Sequence, residues 1–187
     1  MYCLYHFFDK TRDLLITLSD LPAEEAIKAN NRIQRLRAEK EGREYDENQV
    51  DEYHWMPEGR HRLENKMREK FVAKGGKIDR HYPYYAILRN DDMSDEAGFH
   101  DGNHIKISVE EFDMSTVSFT YGDSMQHADP GPFNDKPYKY QVYTYDEILK
   151  IIKEYGWITY RDDWNWNMPC YIEAQLWSDV PIEKYRK

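Results

Sequence analysis

Residues 170–177, CYIEAQLW, alternate from end to end. Cys170, Ile172, Ala174 and Leu176 fall on one side, and Tyr171, Glu173, Gln175 and Trp177 fall on the other. A period of two is the signature of a strand, so the final part of the chain is predicted to lie in a sheet. Immediately upstream the period changes. Tyr145, Ile148, Leu149, Ile152 and Tyr155 recur at helical spacing, Thr144 and Glu147 have the spacing of a capping box, and Gly156 can close the helix. Before that helix, residues 84–88 (YYAIL), 103–109 (NHIKISV), 117–121 (VSFTY) and 138–143 (YKYQVY) read as strands. Residues 2–8 (YCLYHFF) supply another.

Two further helices separate the first strand from the rest. One opens after Ser19-Asp20-Leu21-Pro22 with Glu24 and Glu25 in its first turn, carries Ala26, Ala29, Ile33 and Leu36, and ends near Gly42. The other starts near Pro57, carries Leu63, Met67 and Phe71 at intervals of four, and stops at Gly75-Gly76. Strands grouped in this way predict one α+β domain over residues 1–187. Its sheet is expected to be mixed or mainly antiparallel, with about three helices packed on it, rather than a doubly wound fold.

Composition narrows the class. The 187 residues are 40% apolar and 33% charged, and their 16 Tyr, 7 Phe and 5 Trp argue for an aromatic core rather than disorder. Cys3 and Cys170 lack the close cysteine partner of a metal or redox motif and are expected to be buried free thiols. No secretory leader pattern and no run of about 18 apolar residues occurs, which points to the cytoplasm and away from a membrane. A net charge of −9 disfavours a nucleic-acid-coating protein. Residues 60–80 are the exception, with eight Lys/Arg against three Asp/Glu. RNA, an acidic partner or phosphate would be met only through this basic helix, and a solvated helix face is the simpler reading. Oligomeric state is not legible.

Several places have the residue types that chemistry needs. Residues 122–137 (GDSMQHADPGPFNDKP) run for 16 residues without a period and offer Asp123, Ser124 and His127 as a lid or substrate loop. Glu173 stands mid-strand among aromatics, where a carboxyl loses hydration and its charge becomes costly. His6 sits in an aromatic strand. His100, Asp101 and His104 are broken by the turn-forming Gly102-Asn103, so no metal site is expected there, and residues 162–167 (DDWNWN) would suit stacking on a sugar or base. No Walker A, GxGxxG, GxSxG or HExxH pattern is present. Asp123 with Glu173-Ala174-Gln175 gives half of a metal-dependent nuclease motif without its lysine.

YHFFDK (5–10), LSDLPAEEA (18–26), KGG (74–76), SFTYGDS (118–124), YTYDEIL (143–149) and YIEAQLWSD (171–179) together resemble a widespread bacterial family with no established activity, over nearly the whole chain. In addition, LYHF (4–7) and IEAQLWSDVPIEKY (172–185) resemble the first and last strands of ADP-ribosyltransferase-like toxins. That second resemblance implies NAD as co-substrate, with no cofactor required structurally. It implies that His6 holds the ribose of NAD, that Glu173 stabilises an oxocarbenium-like transition state, and that Tyr121 stacks on nicotinamide. The chain departs from the toxins in having no glycine after His6 and in the reversed order Glu173-x-Gln175. A non-catalytic binding or regulatory module, in phage–host conflict or stress, is the alternative; it would use the basic helix or residues 157–168. The nuclease built on Asp123, Glu173 and Gln175 is the third reading.

Overall fold

The alternating strand at the carboxyl end of the chain lies inside the sheet rather than at its rim. The computed structural model describes residues 1–7, 17–40, 42–45, 57–90, 104–127, 136–158 and 169–185. Among them are five strands, β1 (Tyr2–Phe7), β2 (Tyr84–Asn90), β3 (His104–Ser108), β4 (Val117–Tyr121) and β5 (Ile172–Leu176), and three α-helices, α1 (Ala23–Lys40), α2 (Pro57–Ala73) and α3 (Tyr145–Tyr155). The strands form one sheet in the order β3-β1-β2-β5-β4. Every neighbouring pair is antiparallel. This is the α+β fold expected from the grouping of strands and helices.

Register decides which residues share a face. Opposed residues in a ladder lie on the same side, and successive residues alternate. Lys106, Tyr5, Ile87, Glu173 and Thr120 stand opposite one another across all five strands. One step along, Leu4, Leu88, Ile107, Ile172 and Tyr121 belong to the other face. That second face is apolar and packs on Ile148 and Ile152 of α3, with Phe119, Ala174, Leu176 and Ile182 in the same core. Fully burying one such Leu, Ile or Phe contributes about 1.5–3 kcal/mol, so this face holds the sheet to α3. The first face is covered by α2. Leu63, Met67 and Phe71 meet Trp177 and Val142 there, with Tyr85 and Met125 against them.

The apolar stripes of α2 and α3 form as read. Glu147 accepts the Thr144 N–H at 2.9 Å at the start of α3. Gly156, at φ 91°, ends that helix with its N–H on Ile152 O at 2.8 Å. The stripe of α1 is only partly used: Ala26 and Ala38 are buried, but Leu36 is 40% exposed. This helix packs against α2 and the 3-10 turn Leu18–Asp20. Residues 138–143 are not a strand. The chain turns over residues 137–140, with Tyr140 at φ 59°, and only Tyr143 pairs with the sheet, exchanging backbone bonds with Phe119 at 2.8 and 2.9 Å. Pro137 opens that turn, and a proline N cannot donate to a ladder. No helix among the described residues is long and apolar enough to cross a membrane.

Candidate functional site

The polar side of CYIEAQLW faces α2, and this gives Glu173 its surroundings. Gln175 Nε2 donates to Glu173 Oε1 at 2.9 Å and reaches Thr120 Oγ1 at 3.3 Å. The amide is itself held, because Ser118 Oγ donates to Gln175 Oε1 at 2.7 Å and Trp177 Nε1 donates to Ser118 Oγ at 2.8 Å. Trp177, Ser118 and Gln175 are each 0% exposed, so the relay that ends on the Glu173 carboxyl is sealed from water. Glu173 keeps 6% exposure, and Asp123, Cys170 and Tyr171 beside it are half-buried.

Asp123 and Ser124 arrive at Glu173 because the chain turns sharply after β4. Gly122 has φ 118°, a conformation that a side chain would strain. Its carbonyl accepts from Thr120 Oγ1 at 2.7 Å, and its backbone bridges to Ile172. Asp123 Oδ1 then accepts the Met125 N–H at 2.7 Å, and Oδ2 accepts from Tyr171 Oη at 2.8 Å. Ser124 is wholly buried and its hydroxyl has no hydrogen-bond partner, although it lies close enough to Glu173 to favour the ionised carboxyl.

Burial and charge act on the proton of Glu173. Burial, and after it the negative charge of Asp123, push Glu173 from the ordinary 4.5 up to about 8. Ser124, Gln175 and Arg60 oppose this. At neutral pH Glu173 therefore carries its proton next to a second carboxyl group. The same burial, followed by Asp123 and Glu173, pushes the Cys170 thiol up to about 12, which leaves it a poor nucleophile. Cys3 is buried as expected; Cys170 is only half-buried.

Helix α2 packs over this face of the sheet. Glu64 Oε1 accepts from Ser19 Oγ at 2.8 Å, Tyr85 Oη at 2.8 Å and Arg60 Nε at 3.0 Å. Arg60 Nε also reaches Ser19 Oγ at 2.9 Å, and the guanidinium lies 4.8 Å from the centre of the Tyr85 ring. Glu64 is fully buried, and its Oε2 has no partner. Burial and the Glu64 charge push the Tyr85 hydroxyl well above its usual range.

The structure gathers some of the residues singled out from the sequence and separates others. Glu173, Asp123, Ser124 and Gln175 come together. His6 and Tyr121 do not join them: by register both belong to the α3 face, while Glu173 is on the α2 face. His6 donates from Nδ1 to Tyr85 O at 2.8 Å, and burial holds its imidazole below the usual range. Tyr121 donates to Gly156 O at 2.9 Å and packs edge-on to Tyr138. The expected cleft between the first and last strands, with His6 and Tyr121 beside Glu173, is thus corrected. The reason is parity: one residue along a strand changes the face.

The His127 side chain, residues 128–135 of the loop, His100, Asp101 and residues 159–168 lie outside the described residues. Among the described residues no group of three or more His, Cys, Asp and Glu side chains is arranged to hold a metal ion. Much of the basic run ties α2 and the residues after it to the rest of the chain: Lys70 to Tyr140 O at 2.6 Å, Lys74 to Glu147 at 2.8 Å, Lys77 to Asp113 at 3.3 Å, and Arg80 to Asp179 at 2.9 Å and to Asp20.

Sequence reasoning missed Ser19, Arg60, Glu64, Tyr85 and Tyr171. A signal was present for two of them. Extending the stripe Leu63, Met67, Phe71 back by one turn lands on Arg60, and Glu64, beside Leu63, completes an i,i+4 pair of opposite charge on the buried side of the helix. No family model matches the chain, and neither does any curated protein or any solved structure.

Proposed function

We propose that the protein is an acid–base enzyme acting on a glycosidic bond, with Glu173 as proton donor and Asp123 as its charged partner. The observation that carries this reading is the Glu173 carboxyl, buried on a central strand, held by a closed relay and kept protonated near neutral pH beside a second acid. A carboxyl whose surroundings raise its proton affinity, next to a second carboxyl group, suits chemistry that needs one proton donor and one negative charge at the same carbon. In the proposed step the bond from the sugar carbon to its leaving group breaks with its electron pair on the leaving atom. That atom takes the proton of Glu173, and Asp123 faces the positive charge that develops on the sugar. Water or another acceptor then adds to the carbon, and the proton it sheds returns to the Glu173 carboxylate.

The bond from a sugar carbon to the base of a nucleoside is one bond of this kind; nicotinamide leaves NAD already neutral and takes no proton, so that bond would draw only on the charge of Asp123. The proposal differs from the toxin-like arrangement in its supporting residues, which are Asp123, Ser124 and Gln175 rather than His6 and Tyr121. The test is to incubate the protein with NAD, nucleosides and aryl glycosides and to follow the leaving group by proton NMR. Wild type is expected to turn over at least one class. Glu173→Gln, which keeps the shape but has no proton to give, is expected to lose about a hundredfold or more of that activity. Equal turnover by the variant, or none by wild type on any class, would end the proposal.

A further inference from the structure

We infer that the substrate of this centre carries an anionic oxygen group, a phosphate or a carboxylate, received by the two terminal nitrogens of Arg60. The inference takes the location of the centre from the acid–base reading of Glu173, but the anion site stands on its own geometry. Arg60 is held in an unusual way. A guanidinium commonly meets a carboxylate with a pair of parallel N–H bonds. Here Glu64 engages Arg60 through Nε alone, at 3.0 Å, and Ser19 Oγ takes the same Nε at 2.9 Å. The centre of the Tyr85 ring lies 4.8 Å from the guanidinium carbon, and the spacing of Arg60 and Glu64 on α2 fixes its position.

Nη1 and Nη2 meet no acceptor among the described residues, and the side chain keeps 15% exposure. A planar fork already oriented, with both outer donors uncommitted, is a receptor for an oxyanion. Charge on this side of the sheet permits an anion. By register Lys106 and Arg89 lie on the same face as Arg60, against Glu64 and Asp123, and Glu173 carries a proton. The unpartnered Oε2 of Glu64 suits a hydroxyl of the same substrate. A sugar that carries an acidic group meets both requirements.

The experiment uses two matched pairs of probes on the whole protein, ribose 5-phosphate against ribose and glucuronate against glucose, read by calorimetry and thermal shift. One anionic sugar is expected to bind and raise Tm where its neutral twin does not, and which of the two does so separates phosphate from carboxylate. Arg60→Lys keeps a charge for Glu64 but loses the fork, so affinity is expected to fall by about tenfold or more. In wild type, the side-chain ¹⁵N signals of Arg60 are expected to move on binding, a readout that needs no variant to fold. No preference for either anionic sugar, equal binding by Arg60→Lys, or static Arg60 signals would each overturn the inference. Glu173→Gln separates it from the acid–base reading. Anion binding at Arg60 with turnover intact in that variant removes only the general acid; Glu173-dependent turnover without anion binding removes only the Arg60 site.

Discussion

Replacing Glu173 by glutamine should change how stability depends on pH, in a direction that the structure fixes. The carboxyl moves from 4.5 to about 8 on folding, because burial and the Asp123 charge disfavour its ionised form. The folded chain therefore holds this proton more tightly than the unfolded chain. The contribution is complete below about pH 4.5, declines as pH rises to about 8 and is flat above that. Each pH unit in the window is worth about 1.4 kcal/mol, so the whole window amounts to about 5 kcal/mol. Glutamine occupies the same volume and can accept from Gln175, but it does not titrate. The assay is urea denaturation of both proteins at about pH 5.5 and about pH 8.5, where the stability of wild type minus that of Glu173→Gln should fall by about 3 kcal/mol. Subtracting the variant removes every other titrating group from the comparison. Asp123→Asn should shrink the fall, since Asp123 is the second cause of the shift. A difference that stays constant across the two pH values would mean that Glu173 ionises normally in the folded chain, and the general-acid assignment would lose its basis.

Two further outcomes follow from packing. His6→Asn and Tyr121→Phe alter the α3 face only, so turnover should stay within about threefold of wild type, while Tyr121→Phe should lower stability by about 1 kcal/mol for the lost bond to Gly156 O; a hundredfold loss of activity in either variant would put the reacting centre on the wrong side of the sheet. Gly76→Ala would place a Cβ 2.5 Å from atoms of the Phe71 ring, which stacks on Trp177 with its centre 6.5 Å away. Overpacking of this kind costs about 1–3 kcal/mol, measurable as a lower urea midpoint, and an unchanged midpoint would show that the ring yields freely.

The elements were legible where a strong period met a clear stop. α3 combines a stripe of apolar residues with Glu147 on the Thr144 N–H and Gly156 at the end, so local preference and tertiary packing agree there. β4 and β5 read correctly for the same reason, as each alternates and each is paired on both of its polar and apolar rows. Residues 138–143 misled because aromatic and β-branched side chains make a good strand in isolation. What decided their structure was Tyr140 at φ 59° and the turn opened by Pro137, and propensity does not report either. The stripe of α1 misled in a milder way. Its spacing is helical and the helix is real, but spacing says nothing about whether the apolar side meets the sheet or only another helix.

The candidate site was legible one strand at a time and not across strands. Glu173 sharing a side with Gln175 and Trp177 follows from the alternation of β5 alone, and His6 sharing a side with Leu4 follows from β1 alone. Whether Glu173 and His6 face each other depends on β2, which lies between them. There Tyr5 stands opposite Ile87, and Ile87 stands opposite Glu173. A slip of one residue in the β2–β5 pairing would have put His6 on the Glu173 side and exposed the Leu4 and Leu88 row to α2. The apolar demand of the α3 core excludes that slip: Leu4, Ala86, Leu88 and Ala174 must all face the same layer. The hydrophobic face therefore sets which polar residues meet on the other one, and Glu173 was bound to find its partners on β4 and α2 rather than at the start of the chain. His6 can join the reacting centre only by a change that also turns that core inside out, and this makes its exclusion a property of the fold rather than of one side-chain conformation.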